Sequence, residues 1–182
     1  VHNPGMLFLE ATIRYLRKPS EETENVLVSL LRNGADISNL TIFDDPVTMD
    51  SMMLKVHTNL LAELILAGAV PSKTESKGST ALLQTVSRRD LEQKEKFAMT
   101  EMLLEAGADP NAPSVYDSTR HKALSWASFK GDTDLVILLI KWGAQTIPPP
   151  PLYSPFFTAM AHFNARLKTN VEVVKVLQEN PF

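Results

Sequence analysis

Three features of this 182-residue chain predict an all-α fold, a solenoid of stacked helix pairs joined by irregular hairpin or finger loops. The dipeptide Gly-Ala returns at Gly34-Ala35, Gly68-Ala69, Gly107-Ala108 and Gly143-Ala144, with the glycines 34, 39 and 36 residues apart. A fixed period of this size marks a stacked repeat. Each Gly-Ala closes an apolar stretch with helical spacing, such as Val26 to Leu31, Leu60 to Leu66 or Leu135 to Ile140. Upstream of each lies a shorter segment with its own helix-start signal.

The elements follow in order. Met6 to Thr12 opens the first pair. Ser20 caps its second helix, and Glu21 and Glu22 favour the positive end of the helix dipole. Asp45-Pro46 is expected to start the first helix of the second unit, with Asp45 as cap and Pro46 at the first helical position. Thr80 caps the third unit. Lys122 opens the fourth, in which Gly131 separates the two helices. Ser154-Pro155 opens the fifth. A glycine ends a helix well because it enters the left-handed region without a side-chain clash. The charged stretches 17–22 and 88–96 lengthen units one and three, as longer helices or solvated loops. Segments 36–44, 70–79, 109–121 and 145–153 are the expected fingers. The last holds Pro148 to Pro151, which cannot donate backbone hydrogen bonds and favour an extended loop.

These segments resemble the ankyrin repeat, whose first helix starts Thr-Pro-Leu-His-x-Ala and whose second ends Gly-Ala-Asp. Lys122 to Gln145 is the best match, and Leu103 to Ala112 matches the end of a repeat. The resemblance covers nearly the whole chain as one domain of five units, over 6–36, 45–70, 80–109, 122–145 and 154–178. The family's histidine at the fourth position of the first helix is replaced by Leu9, Thr48, Leu83, Ser125 and Phe157. The resemblance therefore does not carry over the bonds that histidine makes between repeats.

Composition narrows the function. Hydrophobic residues make up 44% of the chain, enough for a sizeable core. The net charge of −3 argues against a general nucleic-acid binder. No apolar run reaches membrane-span length, no secretory signal pattern is present, and there is no cysteine. Disulfides and thiolate metal sites are thereby excluded, and an intracellular setting, cytoplasmic or nuclear, is expected. Starting at Val1, the chain reads as a piece of a longer protein, with further repeats or domains possible at either end. His2, His57, His121 and His162 form no ligand-spaced pair, and no phosphate loop or nucleophile motif occurs. No enzyme activity, cofactor or metal is expected. Asp44-Asp45 reads as a turn residue followed by a cap.

Solenoids mostly bind other macromolecules. The expected function is a protein–protein interaction module, a scaffold or adaptor holding a protein or peptide on its concave face and fingers. The alternatives are a regulatory or substrate-docking domain of a larger enzyme, and a structural spacer. The ankyrin resemblance implies partner contacts at Met52, Met53, Ser87, Arg88, Phe129, Lys130 and His162 after the first helices. It also implies Ser118, Thr119, His121 and Tyr153 on the fingers, and Trp142 before the closing glycine. Met52, Met53, Phe129 and Trp142 put large apolar groups on a face expected to be wet, as binding anchors do. Trp126 falls where the family keeps a core leucine and is expected to pack. Asp44, Asp45 and Asp50 on one side, and Arg120, His121, Lys122 and Lys130 on the other, would orient a partner of mixed charge. The first helix and the segment 171–177 are apolar enough that at least one end is expected to be covered by further protein. The closing Asn180-Pro181-Phe182 resembles a short peptide motif bound by membrane-traffic domains.

Overall fold

The computed structural model describes residues 4–35, 37, 41–42, 45–46, 56–69, 80–112, 122–146, 173 and 175–179. Within them the class is all-α, apart from one two-residue strand pairing.

Helix α1 (Pro4–Arg17) buries Phe8, Thr12 and Tyr15, spaced four and three residues apart along one face. The Thr12 hydroxyl donates to the Phe8 carbonyl at 2.8 Å. Pro19 cannot continue the helix, and the chain turns back through Lys18-Pro19-Ser20. Ser20 caps α2 (Glu21–Arg32) as expected: its hydroxyl accepts from the Thr23 amide, and the Thr23 hydroxyl accepts from the Ser20 amide. Leu27, Val28 and Leu31 of α2 are buried against α1 and against α3 (Thr58–Leu66).

In the third unit, Thr80 caps α4 (Ala81–Ser87) through the Leu83 amide at 3.3 Å. The charged stretch that follows resolves into a short turn and four extra residues at the start of α5 (Gln93–Glu105). Helix α5 buries Lys96, Met99, Thr100, Leu103 and Leu104, a single helical stripe. Helix α6 (Ala123–Lys130) ends on Gly131, at φ 69°, and Asp132 caps α7 (Thr133–Lys141) through the Leu135 amide at 3.3 Å.

The packing order is regular. Helix α2 packs on α3, α3 on α5, and α5 on α7, forming one row. Helices α1, α4 and α6 pair with α2, α5 and α7, and α4 packs on α6. The buried side chains form one continuous core from Phe8 to Leu177. Leu139, in the middle of α7, is fully buried within it.

The Gly-Ala signature has a physical cause. At each of the four sites the glycine amide bonds the carbonyl three residues back, and the alanine amide bonds the carbonyl five back, at 2.9–3.1 Å. That pair of bonds satisfies the last helical carbonyls and requires a left-handed residue at the glycine. The four glycines have φ between 80° and 93°. The alanine then turns inward: Ala35, Ala108 and Ala144 are buried.

One start signal is corrected. Asp45 and Pro46 do not begin a helix. They pair antiparallel with Thr41 and Ile42, in the register Thr41↔Pro46 and Ile42↔Asp45. The first finger therefore extends two residues beyond the expected 36–44. Pro46 fits there because a strand with one neighbour needs no donor on its free side. Residues 47–55, most of the remaining fingers and most of unit five lie outside the described residues. So does the expected closing motif 180–182.

Bonds between units come from side chains other than the missing histidine. Arg32 pairs with Glu63, with Nη2 to Oε1 at 2.6 Å, joining α2 to α3. Asn111 donates to the Gly143 carbonyl and accepts from the Gln145 amide, at 2.9 and 2.8 Å. Gln93 Nε2 donates to Asp132 Oδ1 at 3.3 Å, linking α5 to the cap of α7.

Candidate interaction surface

Helix α4 is seven residues long, so its last carbonyls are close to its first and need partners of their own. They receive one from the next unit. Lys130, the final residue of α6, donates from Nζ to the carbonyls of Val86, Ser87 and Arg88 at 3.0, 2.7 and 3.0 Å. A cation at a helix C-terminus is favoured by the dipole as well as by the bonds. This contact brings Ser87, Arg88, Phe129 and Lys130, four of the expected partner-binding positions, to the turn edge of units three and four.

Their exposures differ. Phe129 is 39% exposed, although its helix neighbours Ala127 and Ser128 are buried. Its ring meets Trp126 edge-on, with centroids 5.7 Å apart and planes at 78°. Trp126 is half-buried against the core, in keeping with its expected packing role. The Lys130 ammonium stands 6.0 Å from the Trp126 ring. Arg88 departs from its expected exposure: it is 7% exposed. Its guanidinium grips Asp90 through Nε and Nη2 at 3.1 and 2.6 Å and donates from Nη1 to the Val56 carbonyl of the preceding unit. It is therefore a bridge between units. Ser87 is half-buried, with its hydroxyl donating to the Gln84 carbonyl.

Trp142 is 40% exposed but does not join this group. It follows the last residue of α7, and Phe129 lies before the first. The nine residues of α7 separate them by about 14 Å at roughly 1.5 Å per residue. Met52, Met53, Ser118, Thr119, His121, Tyr153 and His162 lie outside the described residues.

Charge at the turn edge is lopsided. Lys96 is 8% exposed, and its positive charge acts on Lys130. Burial, then the charges of Lys96 and Arg89, lowers the Lys130 pKa to about 8. Asp90 is held below the usual carboxylate range by its hydrogen bonds from Arg88.

A second polar cluster lies between the first three units. Helix α3 has no side-chain cap of its own at His57. Its N-terminus instead receives carboxylates from two neighbours. Glu95 of α5 accepts from His57 Nδ1 at 3.0 Å and, at longer range, from the Thr58 amide and hydroxyl. Glu24 of α2 accepts from the Leu60 amide. Burial raises the Glu24 pKa, which the nearby Glu95 charge reinforces. For Glu95, burial pushes upward but is outweighed by the bonds from His57 and Thr58, and the net shift is downward. Tyr15, buried beside Glu24, is raised by burial first and by the Glu24 charge second. The cluster acts as a helix cap shared by three units. Among the described residues, no group of three or more His, Asp or Glu side chains could hold a metal ion. No described helix is long and apolar enough to cross a membrane.

An open groove of about 990 Å³ separates α5 from α7, with Phe97, Ile137 and Leu138 on its apolar side and Glu101, Asp134 and Lys141 among its charged residues. Ile137 is 50% exposed there. Its place in a continuous apolar run concealed this, since such a run has no polar face to mark the solvent side.

Comparison with protein-family models and with curated proteins returned no match for this chain.

Proposed function

We propose that this chain is a protein–protein interaction module built as an ankyrin-like stack, and that it holds its partner at the turn edge of units three and four. The stacked reading is supported by the repeated Gly-Ala closure and by the regular packing of α2, α3, α5 and α7. An intracellular setting belongs to the same proposal.

The observation that carries the binding role is Phe129. It is a large aromatic ring, exposed in the last turn of an otherwise buried helix, and braced edge-on by Trp126. A ring already held in place loses little freedom when a partner covers it, which favours it as an anchor. The test is Phe129→Ala, with stability and affinity measured on the same protein. Stability should fall by no more than about 1 kcal/mol. A partner recovered with the unaltered chain should bind about thirtyfold more weakly, equivalent to about 2 kcal/mol. A stability loss of about 3–5 kcal/mol with a merely secondary binding defect would identify Phe129 as core and overturn the proposal.

A further inference from the structure

The outer face of unit one is open at positions that are sealed in units two to four. Eight residues before its closing glycine stands Val26, which is 48% exposed; Leu60, Met99 and Leu135 hold that place in the next three units and are buried. Four residues before the glycine, Leu30 is half-buried, whereas Leu64, Leu103 and Leu139 are buried. The first helix repeats the difference. Leu7 is 37% exposed and Ala11 is half-buried, while the matching residues, Ala81 and Thr85 in α4 and Ala123 and Ala127 in α6, are buried. Units two to four each follow another unit in the row, and unit one follows none among the described residues. Leu7, Ala11, Val26 and Leu30 are thus a stacking face without its neighbour. They line one groove of about 460 Å³ between α1 and α2.

Apolar side chains scattered singly over a surface need no partner, but a contiguous set with a polar rim marks a contact surface. The rim here carries both signs. Glu10 and Arg14 of α1 lie 3.4 Å apart and are largely exposed, and Glu22 stands in the first turn of α2. A contact between two identical copies has to be complementary to itself. This face meets that condition. Helices α1 and α2 are joined by a tight turn and run antiparallel, so a two-fold axis parallel to them lays α1 of each copy along α2 of the other. Leu7 and Ala11 then oppose Leu30 and Val26 of the other copy. Arg14, near the end of α1, comes level with Glu22 of the other copy, near the start of α2.

We infer that the outer face of unit one joins two copies of this chain, α1 of each packing on α2 of the other, in a two-fold antiparallel four-helix bundle. Each copy then supplies the apolar cover that a preceding unit supplies elsewhere in the row. This surface is in unit one and Phe129 is in unit four, so the inference does not rest on the interaction-module reading, and the two fail separately.

The test is sedimentation equilibrium of the full chain from about 1 μM to about 1 mM. A reversible monomer–dimer equilibrium is expected. Val26→Lys should weaken the dimer by about tenfold or more, because it places an ammonium in the apolar centre of the contact. Arg14→Glu and Glu22→Arg should each weaken it, since like charges then face each other across the two-fold axis. The two reversals combined should restore most of the affinity, because opposite charges again meet.

A chain that stays monomeric up to about 1 mM would overturn the inference and leave the face to a helix pair of another protein. A dimer indifferent to Val26→Lys would put the contact elsewhere and overturn it too. So would a double reversal that recovers nothing, or association that runs on past the dimer, the mark of an open contact. All three substituted positions are exposed. Far-ultraviolet circular dichroism of the same samples separates lost association from lost fold.

Discussion

Gly107 offers a clean measurement of what the repeat signature contributes. It closes α5 at φ +93°, with its amide bonded to the Leu104 carbonyl at 3.0 Å and the Ala108 amide to the Leu103 carbonyl at 3.0 Å. A Cβ added there would meet nothing within 4 Å. Gly107→Ala therefore adds no packing clash, and its whole effect is the cost of forcing an L-residue into the left-handed region. That cost is roughly 1–2 kcal/mol. For a chain of this size it corresponds to about 2–4 °C of melting temperature per kcal/mol. Gly107→Asn should cost less, because asparagine visits this conformation more readily than alanine. The assay is urea unfolding of the three proteins side by side, followed by far-ultraviolet circular dichroism as the helix signal. The reasoning fails if asparagine costs as much as alanine, or if alanine costs more than about 4 kcal/mol, since either would mean that space rather than backbone conformation decides.

Two further outcomes follow from burial and charge. Leu139→Ala should destabilise the chain by about 2–5 kcal/mol, because Leu139 is fully buried in the row of α2, α3, α5 and α7; an unchanged unfolding midpoint would refute that register. The two carboxylates at the start of α3 should respond to pH in opposite senses. Glu95 is shifted down, so its contribution is present above its unfolded value of 4.5 and is lost as pH falls through its lower folded value; Glu95→Gln should flatten the acid limb of stability. Glu24 is shifted up, so its contribution is present below 4.5 and is lost as pH rises through its folded value; Glu24→Gln should remove that loss. Stability curves of the two variants that change on the same side would contradict the assignment.

Helix ends, and so the period, were legible in the sequence because their chemistry is local. Gly34, Gly68, Gly107 and Gly143 occupy a backbone conformation that few other residues tolerate, and Ser20 and Thr80 satisfy amides three residues away. Such constraints act within one turn of chain and leave their mark on neighbouring letters. The same locality misled at Asp45-Pro46, where a pair of residues suited to starting a helix is suited equally to a finger strand. The choice between them depends on Thr41 and Ile42 coming back alongside. The aromatic at position 129 could be picked out by its type and register, but the burial of Arg88 could not. Nothing near Arg88 in sequence reveals that the Val56 carbonyl, 32 residues earlier, would be there to receive it.

What the sequence by itself determined is the all-α class, the Gly-Ala period, and the closing turn at each Gly-Ala, all set by steric and hydrogen-bonding demands within a few residues. Only the tertiary structure decided how one unit holds the next. Glu95 caps a helix that begins 37 residues earlier, and Lys130 closes one that ends 43 residues before it. Those contacts depend on which side chains the stacking brings into register. Their energies come from removing charge from water at a particular place, a quantity with no counterpart in the order of residues.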